Sequence, residues 1–487
     1  MTMVVLAKSM TRVHNNRGQQ WSLDQVLAAT HGRLCSSGLA QVKFAGISTD
    51  SRTVQPGDLF VALKGERFDG HDFVSQAVNQ GAAGVLVAEF RADDFTDLTV
   101  AVVAVADTLK ALGDLAAYWR HRHAIPLVAI TGSNGKTTTK EMVAAILSRS
   151  WRVLKNQGTY NNLVGVPLTL LQMTNSHQAA VVEMGMNRPG EIARLTEIAA
   201  PEVGLITNIQ PAHLEGVHSI EGVQAAKGEL FAGLRSQATI VVNRDDPRVC
   251  SLAADYPGRQ VGYSCTGVVT DVTVERIIAM DSEGSVFILR LGNETREVQV
   301  RIMGRHHLNN AVAAAAVAWS LDRPADDISA ALAEFKPFDK RMEVVVFPGN
   351  IHIINDSYNA NPASVTAALQ TLIRLNRTGR LFAVLGDMLE LGERSPELHR
   401  HVGRLAAEEG VDYLIARGEQ ARNLLAGAAE AGMESERLSH AVDHREIALK
   451  LRSLLASGDW VLVKGSRGMH MEKVVDYLME EWGNSRS

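Results

Sequence analysis

A chain of 487 residues exceeds what one hydrophobic core organises, and the usual domain size divides it into about three domains. With 46% hydrophobic and 21% charged residues the composition is that of an ordinary globular protein, and a formal charge of −5 gives no basic footprint for nucleic acid. Anionic ligands must be held by local groups, not by a global field. Cys35, Cys250 and Cys265 match neither a disulfide framework nor a metal-ligand spacing, which points to a reducing compartment. The apolar stretch Met3–Ala7 is too short for a secretory segment, and no run reaches the length of a membrane span. The expectation is a cytoplasmic monomer that neither enters a membrane nor binds nucleic acid.

The first block, residues 1–105, mixes short strands and helices. Phe60–Leu63 and Gly84–Val87 read as buried strands, with a helical stretch over Phe73–Gln80 between them. The second block, residues 106–336, opens with a helix over Thr108–Arg120 and the apolar strand Pro126–Ile130. Next comes the most informative stretch of the chain, Thr131-Gly132-Ser133-Asn134-Gly135-Lys136-Thr137-Thr138. Apolar residues Met142, Val143, Ile146 and Leu147 then recur at helical spacing. Strand, glycine-rich turn and a Lys-Thr pair opening a helix are the context of a phosphate-binding loop. The helix start offers unpaired N–H groups, the glycines let the backbone approach phosphates, Lys136 adds a point charge, and the Thr137 hydroxyl suits Mg²⁺. The general form carries a further glycine where this chain has Ile130, so the shorter Thr-Gly-x-x-Gly-Lys-Thr form is present.

Strands are expected over Ala179–Glu183, Val203–Thr207 and Thr239–Val242, alternating with helices, which reads as a parallel sheet covered on both faces. Residues 263–303 alternate polar and apolar like antiparallel strands, and Asn309–Trp319 reads as a helix. The third block, residues 337–487 from Pro337 onward, has strands over Ile351–Asn355, Leu381–Leu385, Tyr413–Ala416 and Trp460–Val463 with helices between. Its alternation is Rossmann-like, but it lacks G-x-G-x-x-G, so no dinucleotide is indicated. The fold class is three-domain α/β: a small α/β domain, a central P-loop parallel-sheet domain with a β insert, and a Rossmann-like C-terminal domain.

Residues at the ends of the later strands add chemistry. Glu183 closes its strand at the edge where α/β sheets bind ligands, either as a Mg²⁺ ligand beside Thr137 or as a solvated strand end. His213, after another buried strand, is either a polar loop residue or a metal ligand at the same edge. Lys227 reads as the start of an amphipathic helix, where helix polarity mildly disfavours a cation; a carbamylated, anionic Lys227 would remove that mismatch. Asn243-Arg-Asp-Asp246 reads as a polar strand-end turn with at most a weak nucleotide role.

Taken in order, Thr131–Thr138, Asn161-Asn-Leu-Val-Gly-Val-Pro167, Glu183-Met-Gly185, Ala212-His-Leu-Glu-Gly216, Ala226-Lys-Gly-Glu229, Gly304-Arg-His306 with Asn310-Ala311, and Asp356-Ser-Tyr-Asn-Ala-Asn-Pro362 resemble the Mur ligases. The resemblance spans Ser48 to Glu472. These are ATP-dependent amide-forming enzymes of peptidoglycan precursor synthesis. Leu385–Gly392 and Val463–Gly468 resemble the MurF class, which adds D-alanyl-D-alanine, and the Asp-Asn-Pro-Arg signature of the diaminopimelate-adding relatives is absent. Ser48-Thr-Asp-Ser-Arg52 and Leu63–His71 resemble that class's uridine-diphosphate region. His307 departs from the Asn usual in Gly-Arg-His-Asn.

The resemblance implies a UDP-sugar domain, an ATP and Mg²⁺ domain and a dipeptide domain. It implies an acyl-phosphate route from UDP-N-acetylmuramoyl-tripeptide, D-alanyl-D-alanine and ATP to the pentapeptide. Two Mg²⁺ are implied, one on Thr137 and Glu183 and the other on His213 and carbamylated Lys227, with Lys136, Lys227, His213 and Glu183 catalytic. Gly132, Ser133, Asn134, Gly135, Lys136, Thr137, Thr138, Asn310, Arg341 and Asp356 are implied to hold ATP, the last two reaching over from the third domain on closure. Ser48, Asp50, Ser51, Arg52, Lys64, Asp69, His71, Asn161, Asn162, Tyr358 and Asn361 are implied to contact substrate. The rival readings are another ligase with this core, of the folylpolyglutamate synthase kind, and a P-loop kinase or nucleotide switch.

Overall fold

A computed structural model describes residues 12–14, 20–36, 41–158, 160–212, 214–336, 340–375 and 378–483. Three sheets, each faced by helices, follow one another along the chain. The first has six strands in the order Arg12–His14, Gly46–Ser48, Asp58–Val61, Gly84–Ala88, Ala101–Val105, Arg33–Leu34. Its four middle strands are parallel and its two edges antiparallel. The expected strand at Phe60 begins earlier, at Asp58, and the stretch around Phe73 divides into a 3-10 turn, Gly70–Phe73, and a short helix, Val74–Asn79.

The helix Thr108–Arg120 joins the first sheet to the second. Asp107 caps it by accepting from Leu109 N and Lys110 N. Trp119 stacks on Trp21 at 5.0 Å and donates its indole N–H to Met173 O. Buried Arg120 donates to Ala199 O, His123 O, Ile125 O and Glu202, so its charge is fully spent on pinning the helix to the central domain.

The central sheet runs Val153–Lys155, Ala179–Glu183, Leu127–Thr131, Val203–Ile206, Thr239–Asn243, Arg259–Ser264, Val272–Asp281, Gly284–Leu291, Glu294–Val300. Its first seven strands are mutually parallel, and the last two pairings are antiparallel. The β insert is therefore a meander that extends the same sheet. Register decides where the site lies. Glu183 is level with Ile130, and Ile206 with Thr131, so the carboxyl ends of both flanking strands open beside the P-loop. The four strands nearest the site are almost wholly buried and apolar except at their ends, Thr131, Glu183, Thr239 and Asn243, as a sheet covered on both faces requires.

The third sheet runs Glu343–Phe347, Ile351–Asp356, Trp460–Lys464, Leu381–Gly386, Tyr413–Arg417, Leu438–His440, antiparallel only at its first pair. The strand last in sequence, Trp460–Lys464, sits near the middle. Helices Pro362–Ile373, Ser395–Glu408 and Ala421–Glu430 pack together, while His444–Leu454 packs with Glu472–Gly483. The chain therefore leaves this strand and its neighbours on opposite faces, which opens a crevice at their carboxyl ends. The expected start of this block, Pro337, lies outside the described residues. Among the described residues no helix is long and apolar enough to cross a membrane.

Candidate active site

The P-loop curls because two glycines allow it. Gly132 has φ +144°, and a Cβ there would lie 1.9 Å from Thr207 Oγ1. Gly135 caps the helix Lys136–Leu147 at φ +82°, and a Cβ would lie 2.2 Å from Asn310 Oδ1. The helix Arg305–Ser320 thus packs Asn310 directly against the loop. The strand end at Thr207 braces the loop's other side. Asn134 N donates to Asn208 Oδ1 (3.0 Å), Thr207 Oγ1 donates to Asn134 O (2.6 Å), and Ser133 Oγ donates to Gln210 O (2.7 Å). Asn208 and Gln210 escaped the sequence reading. Their signal was their place, directly after a strand whose register sets them beside the loop.

Lys136 Nζ donates to Gly132 O at 2.7 Å and Ser133 O at 3.3 Å, so its ammonium lies inside the loop. Burial pushes its pKa down, Arg341 pushes the same way, and Glu183 and Glu390 oppose them. Thr137 and Thr138 are buried on the first helical turn. Glu183 is 1% exposed; its Oε1 accepts from Asn161 Nδ2 at 2.7 Å, and its Oε2, though buried, has no hydrogen-bond partner among the described residues. Asn156, also missed from sequence, clamps the Glu183 main chain from both sides, accepting from Glu183 N at 2.9 Å and donating to Glu183 O at 3.0 Å.

Lys227 corrects an expectation. The helix runs Ile220–Gly233 from a Ser219 cap, so Lys227 lies two turns inside it and is 1% exposed, not a solvated lysine at a helix start. The helix-polarity argument therefore does not apply there. Burial drives its pKa well below the ordinary lysine value, and nearby Lys136 reinforces this while Glu183 opposes it. The amine is held toward its neutral form. His213 lies outside the described residues.

The third domain reaches this centre. Arg341 Nη2 donates to Thr137 Oγ1 at 3.0 Å, and its guanidinium lies 4.0 Å from the Tyr358 ring centroid. Arg341 Nε is buried and has no partner among the described residues. Asn361 Nδ2 donates to Asn134 Oδ1 at 2.7 Å while its own Oδ1 caps the helix Pro362–Ile373. Asp356 does not touch the loop. It pairs with buried Lys464 at 2.5 Å and accepts from Met342 N at 3.2 Å, which fixes the segment that carries Arg341.

The residues expected to contact substrate divide. Asn161 orients Glu183, and Asn162 Oδ1 accepts from Val164 N and Gly165 N, holding its own turn. Tyr358 is the platform for Arg341. In the first sheet, Ser48–Arg52 and Lys64–His71 follow adjacent parallel strands and share one edge. Asp50 accepts from Arg52 N and Nε at 2.9 Å, and Ser51 Oγ donates to Gln76 Oε1. His71 is 3% exposed, bonded to Asp69 through Nδ1 and to Ala88 N through Nε2, so its ring shapes the edge from within. Lys64 is exposed and bridges to Asp69 through the backbone. The turn Asn243–Asp246 is a brace: Asn243 Nδ2 donates to Thr207 O, and Asp246 accepts from Ile209 N while capping the next helix.

A P-loop between a strand-end carboxylate and a second strand-end brace, met by an arginine from another α/β domain, is the site of an ATP-dependent enzyme. The chain matches the Mur ligase family, catalytic domain over residues 43–120, the Mur ligase middle domain over 130–318, and the Mur ligase, glutamate ligase domain over 340–467. It is 38% identical over 444 residues to the UDP-N-acetylmuramoyl-tripeptide–D-alanyl-D-alanine ligase of Escherichia coli K12, covering 91% of this chain and 95% of that one. Crystal structure I of MurF from Acinetobacter baumannii superposes with a TM-score of 0.87 at 34% identity, covering 95% and 99% of the two chains. MurF ligase from Thermotoga maritima in complex with ADP does so with a TM-score of 0.80 at 28% identity, covering 91% and 98%. The chain belongs to the Mur ligase family.

The paired histidines at the start of the helix Arg305–Ser320 give a pH signature. Their ring centroids are 4.2 Å apart. Burial lowers His306 from 6.5 to about 4 and pushes His307 well below its ordinary value, and neither His307 nitrogen has a partner among the described residues. The unfolded chain takes up protons that these rings refuse when folded. The His306 contribution to stability is complete above pH 6.5, declines as pH falls from 6.5 toward about 4, and levels off below that; the His307 contribution is likewise lost as pH falls below 6.5. A series of thermal unfolding measurements across that range should show His306→Gln flattening this part of the wild-type curve. A parallel decline in both proteins would mean that other groups cause it.

Proposed function

We propose that this ligase joins D-alanyl-D-alanine to UDP-N-acetylmuramoyl-tripeptide, the two compounds that the relatives' names give for them, and that it does so in the cytoplasm at the expense of ATP. The observation that carries the mechanism is the convergence of Glu183 and the third-domain Arg341 on Lys136, with Arg341 bonded to Thr137 beside it. The tripeptide carboxylate attacks the γ-phosphate, the bond to the β-phosphate oxygen breaks, and ADP leaves an acyl phosphate. The dipeptide amine then adds to that carbonyl, and the tetrahedral adduct expels phosphate to form the amide. Both partners in the first step are anions. Lys136 inside the loop and Arg341 above Thr137 offset their repulsion at fixed positions, with little reorganisation. Arg341 has donor capacity left at Nε for a planar, multi-donor grip on phosphate oxygens.

The residues suit Mg²⁺. This ion takes one or two carboxylates, hydroxyl oxygens and substrate phosphates in preference to a protein cage. Glu183 offers a buried, unpartnered Oε2, Thr137 a hydroxyl on the first turn, and among the described residues no larger cluster of His, Cys, Asp or Glu is built. Bound there, the ion supplies charge neutralisation at the phosphates. A second site would use His213 and Lys227. The buried Lys227 amine, its pKa pushed well down, is suited to add to CO₂, forming an N–C bond and releasing a proton, which leaves a carbamate whose oxygens could ligate metal. Ser48, Asp50, Ser51, Arg52, Lys64 and Asp69 at the first sheet's edge are assigned to the UDP end. That paired edge favours a Mur ligase over a ligase of the folylpolyglutamate kind.

Phosphate release measured with and without each substrate tests the reading. Turnover should require both the UDP-tripeptide and D-alanyl-D-alanine, and a protein that hydrolyses ATP with neither would be a kinase or switch. Running the assay with diaminopimelate and lysine tripeptides in turn reads the third position.

Lys227→Ala should lower kcat about 100-fold or more, through loss of a fixed charge at the reacting centre. Added short-chain carboxylates should restore part of it. Isotopically labelled bicarbonate should give a carbamate NMR signal in the wild type that Lys227→Ala lacks; equal spectra would sink the carbamate.

Arg341→Ala should raise the KM for ATP by roughly 10- to 100-fold, the value of a hydrogen bond to a charged group, and leave UDP-tripeptide affinity unchanged. Arg341→Lys keeps the charge without the planar fork and should recover only part. Normal turnover and unchanged constants in Arg341→Ala would make Arg341 a bystander.

A further inference from the structure

Arg341 sits in an unusual piece of backbone. The residues on either side, Lys340 and Met342, have φ of +59° and +50°, and neither is glycine. Two successive excursions into the left-handed region are unfavourable for residues with a Cβ, and they persist only where the surroundings impose them. Two backbone bonds help: Tyr358 N donates to Lys340 O at 3.3 Å and Met342 N donates to Asp356 Oδ1 at 3.2 Å. The third restraint comes from the far end of the domain. Glu472, first residue of the helix Glu472–Gly483 and 8% exposed, accepts from Lys340 Nζ at 3.1 Å and from Arg467 Nη1 at 3.0 Å, both through Oε1. Arg467 lies 5.9 Å from the Tyr358 ring centroid, and Tyr358 is the ring on which Arg341 rests at 4.0 Å.

We propose that Glu472 is the positioning residue for Arg341: it holds the two cations that flank Arg341, one along the chain and one across the Tyr358 ring, and so aims the guanidinium at Thr137. Lys340 can keep its left-handed backbone because its side chain ends on a buried carboxylate. Tyr358 can present one face to Arg341 because Arg467 is tethered beside it. Neither cation touches the P-loop, and Glu472 itself acts only through them. This rests on the reading that Arg341 serves ATP.

The test is a double-mutant cycle on the full-length enzyme. Glu472→Gln keeps the shape and removes the charge. It should raise the KM for ATP about tenfold, the cost of loosening one charged hydrogen-bond network, with the Kd for UDP-tripeptide unchanged. In the Arg341→Ala background it should add nothing, because the side chain it aims is gone. Glu472→Asp keeps the charge one methylene short and should fall between wild type and Glu472→Gln; it carries the test if circular dichroism shows Glu472→Gln unfolded. Effects of Glu472→Gln and Arg341→Ala that multiply, or a wild-type KM for ATP in both Glu472 variants, overturn the proposal while leaving Arg341's own role standing. Normal ATP use in Arg341→Ala would remove that role and this proposal with it.

Discussion

The gathering of Lys136, Lys227 and Glu183 at one end of one parallel sheet is the constraint on which the rest depends. Lys227 and Glu183 are each 1% exposed; taking ionisable groups out of water is expensive, and a fold bears that cost only when rigid elements leave the groups no alternative. The flanking strands do this. Their register sets Glu183 level with Ile130 and the Thr207 brace beside the loop. Asn156 and Asn161 then fix Glu183 at its backbone and its carboxylate. The loop must bend inside this frame, and contact with Thr207 and Asn310 leaves room only for glycine at its two corners. Lys136 inside the loop and the open N–H groups of the helix start at Lys136 give the loop a preference for a polyanion.

The contacts across the cleft are of two kinds. Val365, Ala368 and Leu372 of the helix Pro362–Ile373 belong to the same buried apolar cluster as the central core. Beside this packing stand polar bonds: Arg341 to Thr137, Asn361 to Asn134, and Glu215 N to Glu390 O. The first two end on P-loop residues, so the third domain is bonded to the loop itself, at the residues that the proposed function assigns to ATP.

Much of this was legible in the sequence. Buried parallel strands are continuous apolar runs, so Ala179–Glu183 and the helix Thr108–Arg120 appear where expected, and the P-loop carries its own pattern. What was illegible came from tertiary placement. Lys227 looked like a helix start because nothing local announces that a lysine is buried; its cap, Ser219, lies two turns back, and its desolvation comes from neighbouring elements. His71 looked like a ligand residue, but its ring nitrogens are taken by Asp69 and Ala88. The edge strand Leu438–His440 is three residues long and gives no run to read, while Glu343–Phe347 carries the apolar run Val344–Phe347 but is largely exposed and is not read as a strand from the sequence. The hinge strain at Lys340 and Met342 is invisible to composition, since neither is a residue that advertises a left-handed turn.

The third domain changes the charge balance of the site as well as its shape. Its Arg341 pushes the Lys136 pKa down, and its Glu390 pushes it back. The histidines at the same face of the cleft, His306 and His307, are held neutral by burial and add no positive charge. Lys136 and Arg341 thus stand around the strand-end carboxylate of Glu183, with the buried Lys227 amine pushed toward its neutral form beside them. Two cations carried by different domains and held this close repel each other, and an anion seated between them reverses the sign. On the proposed function, the polyphosphate that needs both cations is also the ligand that holds the two domains' groups together.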